Sequence, residues 1–166
     1  PAIHLALIAC YRELKQFEEA EAAIEKLNRL ALSSKALLKL RAEIVRLALA
    51  QQDLETTLEL LNRPRESNRI LVPEYDLAFL DAFIYFWGKA AQEENTASAE
   101  NYQQQAVLTV KHIEQTHGPY WGRVAELQLL KHAGMNGDNT NLVVLERTAD
   151  DLSRKDKFTE AIEAYD

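Results

Sequence analysis

Apolar residues recur at steps of three and four along almost the whole chain, which is the spacing of one face of an α-helix. In the first half this spacing predicts four helices, over residues 2–14, 17–31, 34–50 and 53–62. In the second half it predicts five more, over residues 74–93, 97–115, 120–133, 142–154 and from Lys157 onward. No stretch alternates between apolar and polar residues for long enough to predict a strand. The pattern therefore predicts an all-α protein of about nine helices.

Proline and glycine mark the points where these helices are interrupted. Pro64 blocks continuation of the fourth helix, and Pro73 suits the first position of the fifth, where its missing N–H costs nothing. Gly118 and Pro119 separate the sixth helix from the seventh, and the stretch GMNGDNTN (134–141) predicts a turn before the eighth. The other connections are short, so consecutive helices are expected to form antiparallel pairs.

Two segments far apart in the chain are similar to each other, QFEEAEAAIE (16–25) and KFTEAIEAYD (157–166). Phe17 and Phe158 lie 141 residues apart, which is about four steps of 35 and close to the tetratricopeptide period of about 34. At an intermediate step, AQQDLETTLELL (50–61) parallels ELKQFEEAEAAI (13–24). The spacing therefore predicts an array of repeated helix pairs.

The repeated unit resembles the tetratricopeptide repeat. The signature positions of the first unit are occupied by Leu7, Tyr11, Phe17, Ala20 and Ile24. The last unit matches with Ala149, Leu152, Phe158, Ala161 and Tyr165, and the second matches less well with Ile44, Ala48, Leu54, Leu61 and with Thr57 in place of the small alanine. The first unit departs from the pattern at His4, Ile8, Leu27 and Leu32, where the family usually has Trp, Gly, Ala and Pro.

This resemblance implies an α-solenoid, a right-handed superhelical array of antiparallel helix pairs. Residues 1–166 would form one domain that is a fragment of a longer chain. Its units would cover roughly residues 1–33, 34–72 and 73–117, then an irregular 118–140 and a truncated 141–166. Residues 74–134 match the family only as paired helices.

Net charge limits the classes of partner. The chain carries −7 at pH 7, which argues against nucleic-acid or anionic-membrane binding because phosphates require a basic surface. The most apolar stretch, residues 77–91, contains Asp81 and Lys89 and is shorter than the roughly 20 residues of a spanning helix, so we expect no membrane insertion.

The single cysteine, Cys10, suits a reducing compartment and favours the cytoplasm. Leu7 to Cys10 also fits a lipoprotein cleavage site, but no basic region precedes it.

Residue types that carry chemistry are present without the spacing of a site. His112 and His117 are five positions apart and do not share a helix face, so we expect them at the surface or partly buried. Cys10 is interpreted as a buried structural thiol and the carboxylates as a solvated face shared with Lys and Arg. The aromatic cluster is assigned to packing rather than to a ligand pocket: Phe79, Phe83, Tyr85, Phe86 and Trp87. We therefore expect no enzyme, cofactor or metal site in these residues.

The family resemblance implies a protein-interaction scaffold in which the first helix of each pair lines a concave groove. The helices 2–14, 34–50 and 74–93 would supply that groove. Mixed charges beside aliphatic surface would recognise an extended peptide or a partner helix. The same charges are equally compatible with a solvated surface. The candidate groove residues are Arg12, Glu13, Lys39, Glu43, Arg46, Asp81 and Tyr85.

Other interpretations belong to different classes. Leu5 and Ala9 stand where the carboxylate-clamp form of the family has its polar residues, so binding of a chaperone tail is not expected. A structural spacer or self-association module would use exposed apolar terminal repeats and leave the groove empty. A non-catalytic part of an enzyme or sensor would have its catalytic domain elsewhere in the parent protein.

Overall fold

A computed structural model describes residues 2–62 and 71–134. This part of the chain contains seven helices and no strand, which confirms the all-α prediction. The helices predicted over 142–154 and from Lys157, and the turn predicted over 134–141, lie outside the described residues or extend beyond them. The helices are α1 (Ala2–Glu13), α2 (Phe17–Asn28), α3 (Ser34–Ala50), α4 (Leu54–Asn62), α5 (Pro73–Gln92), α6 (Thr96–His117) and α7 (Pro119–Gly134).

Local hydrogen bonds explain where several helices begin. The side chains of Ser33, Asp53 and Asn95 accept hydrogen bonds from backbone N–H groups three residues later, at 3.3, 3.1 and 3.2 Å. Such N-caps satisfy donors that the first turn leaves free, and each contributes about 1 kcal/mol. α5 begins at Pro73, as predicted.

Three helix pairs are joined by the same turn. α1–α2, α3–α4 and α5–α6 each turn through one left-handed residue, Lys15, Gln52 and Glu94, with φ of 57°, 60° and 55°. In each turn that residue donates its N–H to the carbonyl three residues back, and the next residue donates to the carbonyl five back. This connection occurs three times in the described chain, each time without a glycine at the left-handed position. It is the clearest repeated feature of the described chain.

The chain divides into two compact units, the first ending at Tyr85 and the second beginning at Phe86. The boundary falls within α5. In the first unit α1 packs on α2 and α3, and α3 packs on α4. One buried cluster joins α1, α2 and α3, and another joins α3 to the first half of α5. The clusters are Ile8, Ala23, Leu27, Leu40 and Ala42, Val45, Ala78, Phe79, Ala82.

The small positions of the helix pairs are buried as the repeat pattern requires. Ala20 is completely buried in α2. Thr57, which stands at the matching place in α4, is also completely buried, and its hydroxyl donates to the Asp53 carbonyl at 2.7 Å. That internal hydrogen bond lets a hydroxyl occupy a buried position without losing a partner.

The apolar residues of the first predicted helix that recur at helical spacing are Ile3, Leu7, Cys10 and Leu14, and this stripe is not the buried face of α1. Ile3 and Leu14 are 75% and 67% exposed, whereas Ile8 is fully buried. Cys10 is exposed, so its interpretation as a buried structural thiol is wrong. Cys10 lies two positions from Ile8, about 200° around the helix. Because Ile8 packs against α2 and α3, the opposite side of α1 carries the thiol.

The second unit is built around the close approach of α6 and α7. A Cβ at Gly122 would lie 2.7 Å from the Cβ of Glu114 and 3.1 Å from its Cα, so only glycine fits there. Phe86 is buried and stacks on Tyr102 with ring centroids 5.3 Å apart. Together with the burial of Phe79 in the first unit, this assigns both aromatic residues to packing. The predicted positions of His112, exposed, and His117, half-buried, are confirmed.

Candidate functional site

Six of the seven candidate groove residues take part in ion pairs on α1, α3 and α5. Five of them are linked in one chain of pairs, and Lys39 pairs separately with Glu74. We call these seven residues the ion-pair ladder: Arg12, Glu13, Lys39, Glu43, Arg46, Glu74 and Asp81. The linked chain of pairs runs from α1 through α3 to α5, and the Lys39–Glu74 pair joins α3 to α5 a second time.

Glu43 connects α1 to α3. Its Oε2 lies 3.5 Å from Nε of Arg12, and its Oε1 accepts a hydrogen bond from Nη1 of Arg46 at 3.0 Å. Arg12 also donates from Nη1 to Glu13 at 2.6 Å. One carboxylate on α3 is therefore shared by two guanidinium groups from neighbouring helices.

Two parallel pairs connect α3 to α5. Lys39 Nζ donates to Glu74 Oε1 at 2.5 Å, and Arg46 Nε donates to Asp81 Oδ2 at 3.3 Å. Both pairs join residues that are 35 positions apart. The two helices are therefore in the same register at both ends of the contact.

Helical spacing accounts for this alignment. Lys39, Glu43 and Arg46 follow one another by four and three positions, so they share one face of α3. Glu74 and Asp81 are seven positions apart on α5 and also share a face. Between them lies Ala78, which is completely buried in the cluster joining α3 and α5. A small residue there allows the two helices to approach closely enough for the flanking charges to pair.

Equivalent positions of the predicted units are brought together by the ladder. Arg46 follows Arg12 by 34 residues, and Asp81 follows Arg46 by 35. These three residues lie on α1, α3 and α5, and Glu43 contacts both arginines. The spacing matches the period of about 34 that the sequence predicts.

The α1–α3 end of the ladder is more deeply buried than the α3–α5 end. The Glu43 side chain is 13% exposed, whereas those of Lys39 and Glu74 are 36% and 34% exposed. Nε of Arg12 and Oε2 of Glu43 are buried and make no hydrogen bond within the described part of the chain. Their 3.5 Å separation is a charge contact without hydrogen-bond geometry, which weakens this end of the ladder relative to a bonded pair.

The two acidic residues of α5 ionise differently. Burial raises the pKa of Asp81, and the opposing charge and hydrogen bond of Arg46 do not offset it. Burial also opposes ionisation of Glu74. The hydrogen bond from Lys39 and the positive charge of Lys39 outweigh that burial, so the pKa of Glu74 is lowered. Burial is the stronger influence at Asp81, where the nearby charge of Glu43 also raises the pKa, whereas the charges of Lys39 and Lys35 both favour the ionised form of Glu74.

The sequence analysis missed Glu74 and included Tyr85. Glu74 could have been found, since it follows Lys39 by the same 35 positions that separate Arg46 from Asp81. Tyr85 is half-buried one turn after Asp81 on α5. Its side chain also takes part in an interaction within the chain.

A cleft on a different side of α3 also went unpredicted. It encloses about 720 Å³ between α2, α3, α4 and the start of α5. Its described walls are mainly apolar, with Leu37, Ile44 and Phe79 among them, and include the polar groups of Arg41 and Tyr75. No His, Cys or carboxylate stands among these described walls, so they offer no nucleophile with an adjacent base.

Elsewhere in residues 2–62 and 71–134, the chemistry is limited. No group of three or more His, Cys, Asp or Glu residues in this range is arranged to hold a metal ion. None of the helices described is both long enough and apolar enough to cross a bilayer. Arg63, Arg65 and Arg69 lie outside the described residues.

Comparison with known proteins gives no relative from which a function could be carried over. No protein-family model, no curated protein and no solved structure matches this chain. The tetratricopeptide assignment therefore stays a prediction that rests on the residues and on the geometry described above.

Proposed function

We propose that this chain is a non-catalytic scaffold of tetratricopeptide type, which binds a peptide or partner helix against the surface formed by α1, α3 and α5. The observation that carries the proposal is the ion-pair ladder. It supports the proposal because ion pairs join charged residues of α1, α3 and α5 that follow one another in the sequence at intervals of 34 and 35 residues.

The solenoid arrangement belongs to the same proposal. Three helix pairs with one turn geometry support an array in which each pair buries its remaining apolar surface against the next. In such an array α1, α3 and α5 would form the inner layer, and α2, α4 and α6 the outer layer. The ladder would then lie along the groove.

Recognition would use the α3–α5 end of the ladder. This end offers one cation and two carboxylates that are partly exposed, namely Lys39, Glu74 and Asp81. Glu43, in contrast, is enclosed between Arg12 and Arg46. Across the contact between α3 and α5, Glu74 is held by Lys39 and Asp81 by Arg46. A carboxylate has about four acceptor sites and an ammonium three donors, so these groups retain capacity for a bound segment. An extended segment carrying charges of both signs is the expected partner.

A second candidate is a structural spacer or self-association module. The observation that favours it is that each charge of the ladder already has a partner within the chain. In that case the ladder would set the register of the helices and recognise nothing. The exposed apolar side of α1, with Ile3, Leu7 and Leu14, would contact another helix.

A charge exchange separates these two functions. Lys39→Glu combined with Glu74→Lys restores an ion pair between α3 and α5 but reverses the charges shown to a ligand. Peptides selected by phage display on the unmodified chain would be measured against this variant by fluorescence anisotropy. If the groove recognises the charges of its ligand, we expect the variant to lose at least about tenfold in affinity, which corresponds to roughly 1.4 kcal/mol. The thermal unfolding temperature should stay the same.

The matched control exchanges an ion pair on α2. Glu25 and Arg29 are exposed and 3.4 Å apart, and the variant Glu25→Arg with Arg29→Glu should bind as the unmodified chain does. Equal binding by the Lys39/Glu74 exchange would contradict the groove. Failure to select any peptide, together with a molecular mass that rises with concentration in ultracentrifugation, would support the second candidate instead.

A further inference from the structure

We draw no further inference here: the strongest candidate, the apolar stripe of Ile3, Leu7, Cys10 and Leu14 on the exposed side of α1, carries nothing because nothing in the structure shows what covers it.

Discussion

Long charged side chains join the helices of the first unit, whereas those of the second meet through glycine. Arg46 reaches from α3 to Asp81 of α5, and both side chains keep partial contact with water. In the second unit, Gly122 brings α7 against the backbone of α6 at Glu114. Flexible side chains can follow a small displacement of a helix, but a backbone contact cannot. The ion-pair ladder should therefore tolerate substitution better than the contact at Gly122.

Each unit leaves two buried polar atoms without a hydrogen bond in the part of the chain described. In the first unit they are Nε of Arg12 and Oε2 of Glu43, which face each other as opposite charges at 3.5 Å, and in the second they are Oε1 of Gln128 and Nε2 of His132. The His132 ring lies edge-on against Trp87, with centroids 4.9 Å apart, and a Cβ on Gly88 would come within 2.9 Å of it. The second unit therefore depends on shape, and also on His132 staying neutral.

The two units can be observed separately by spectroscopy. The chain has two tryptophans, Trp87 and Trp121, and both belong to the second unit. Tryptophan fluorescence therefore reports unfolding of that unit, whereas far-UV circular dichroism reports the helices of both. Coincident transitions would indicate a single cooperative event.

The largest effect is expected from Gly122→Ala. The new methyl group would overlap Cβ of Glu114, so α6 and α7 must shift, and we expect a loss of about 1–3 kcal/mol in the free energy of unfolding. Urea unfolding followed by tryptophan fluorescence measures this loss. Gly88→Ala is the control, because its methyl group meets only the His132 ring, which can rotate away, and should cost less. A stabilised Gly122→Ala variant would contradict the close contact.

Breaking the ladder should have a smaller effect. A double-mutant cycle with Arg46→Met and Asp81→Leu should give a coupling of about 1 kcal/mol, since both side chains are only partly buried. The same cycle on Glu25 and Arg29, which are exposed, should give a few tenths of a kcal/mol at most. Equal couplings would mean that the ladder contributes no more than an ordinary surface pair. Urea unfolding followed by circular dichroism measures both.

Replacing the left-handed turn residues with glycine should relieve backbone strain and stabilise both units slightly. Non-glycine residues are unfavourable in the left-handed conformation, so Gln52→Gly and Glu94→Gly should each gain about 0.5–1 kcal/mol. The neighbouring Gln51 has φ of −78°, and Gln51→Gly should lose stability because it gains no relief. Thermal unfolding of the three variants compares them directly. A loss at both Gln52 and Glu94 would contradict the shared turn geometry.

Acid should weaken the second unit through His132. Burial lowers the pKa of this histidine below its usual value of about 6.5, so the unfolded chain takes up its proton first as the pH falls. The resulting stabilisation is complete above about pH 6.5 and is lost as the pH falls through the pKa of the folded state. Tryptophan-detected unfolding between pH 7.5 and 5 should show this loss.

His132→Phe keeps a ring against Trp87 and removes the charge, so it should flatten that pH dependence. His112→Gln, at an exposed position of α6, should leave it unchanged. A slope that survives in His132→Phe would assign the effect to another group.

Six members of the ladder stood among the candidate groove residues that the family resemblance implied, and Lys39, Glu43 and Arg46 also have the spacing of one helix face. Glu74 follows Lys39 by the 35 positions that separate Arg46 from Asp81, but this offset is informative only once α3 and α5 are known to pack together. The lowered pKa of Glu74 and the raised pKa of Asp81 depend on distances that no spacing encodes.

The sequence by itself determined the helices of the described chain and many of their ends. Periodicity acts within one turn, caps act within three residues, and Pro73 and Gly118 interrupt the backbone where they stand. Only the tertiary structure decided which side of α1 is buried. Ile8 and the stripe containing Cys10 both have helical spacing, but α2 and α3 cover the side of Ile8. Burial is a relation between helices, and a periodic pattern within one helix does not specify its neighbour.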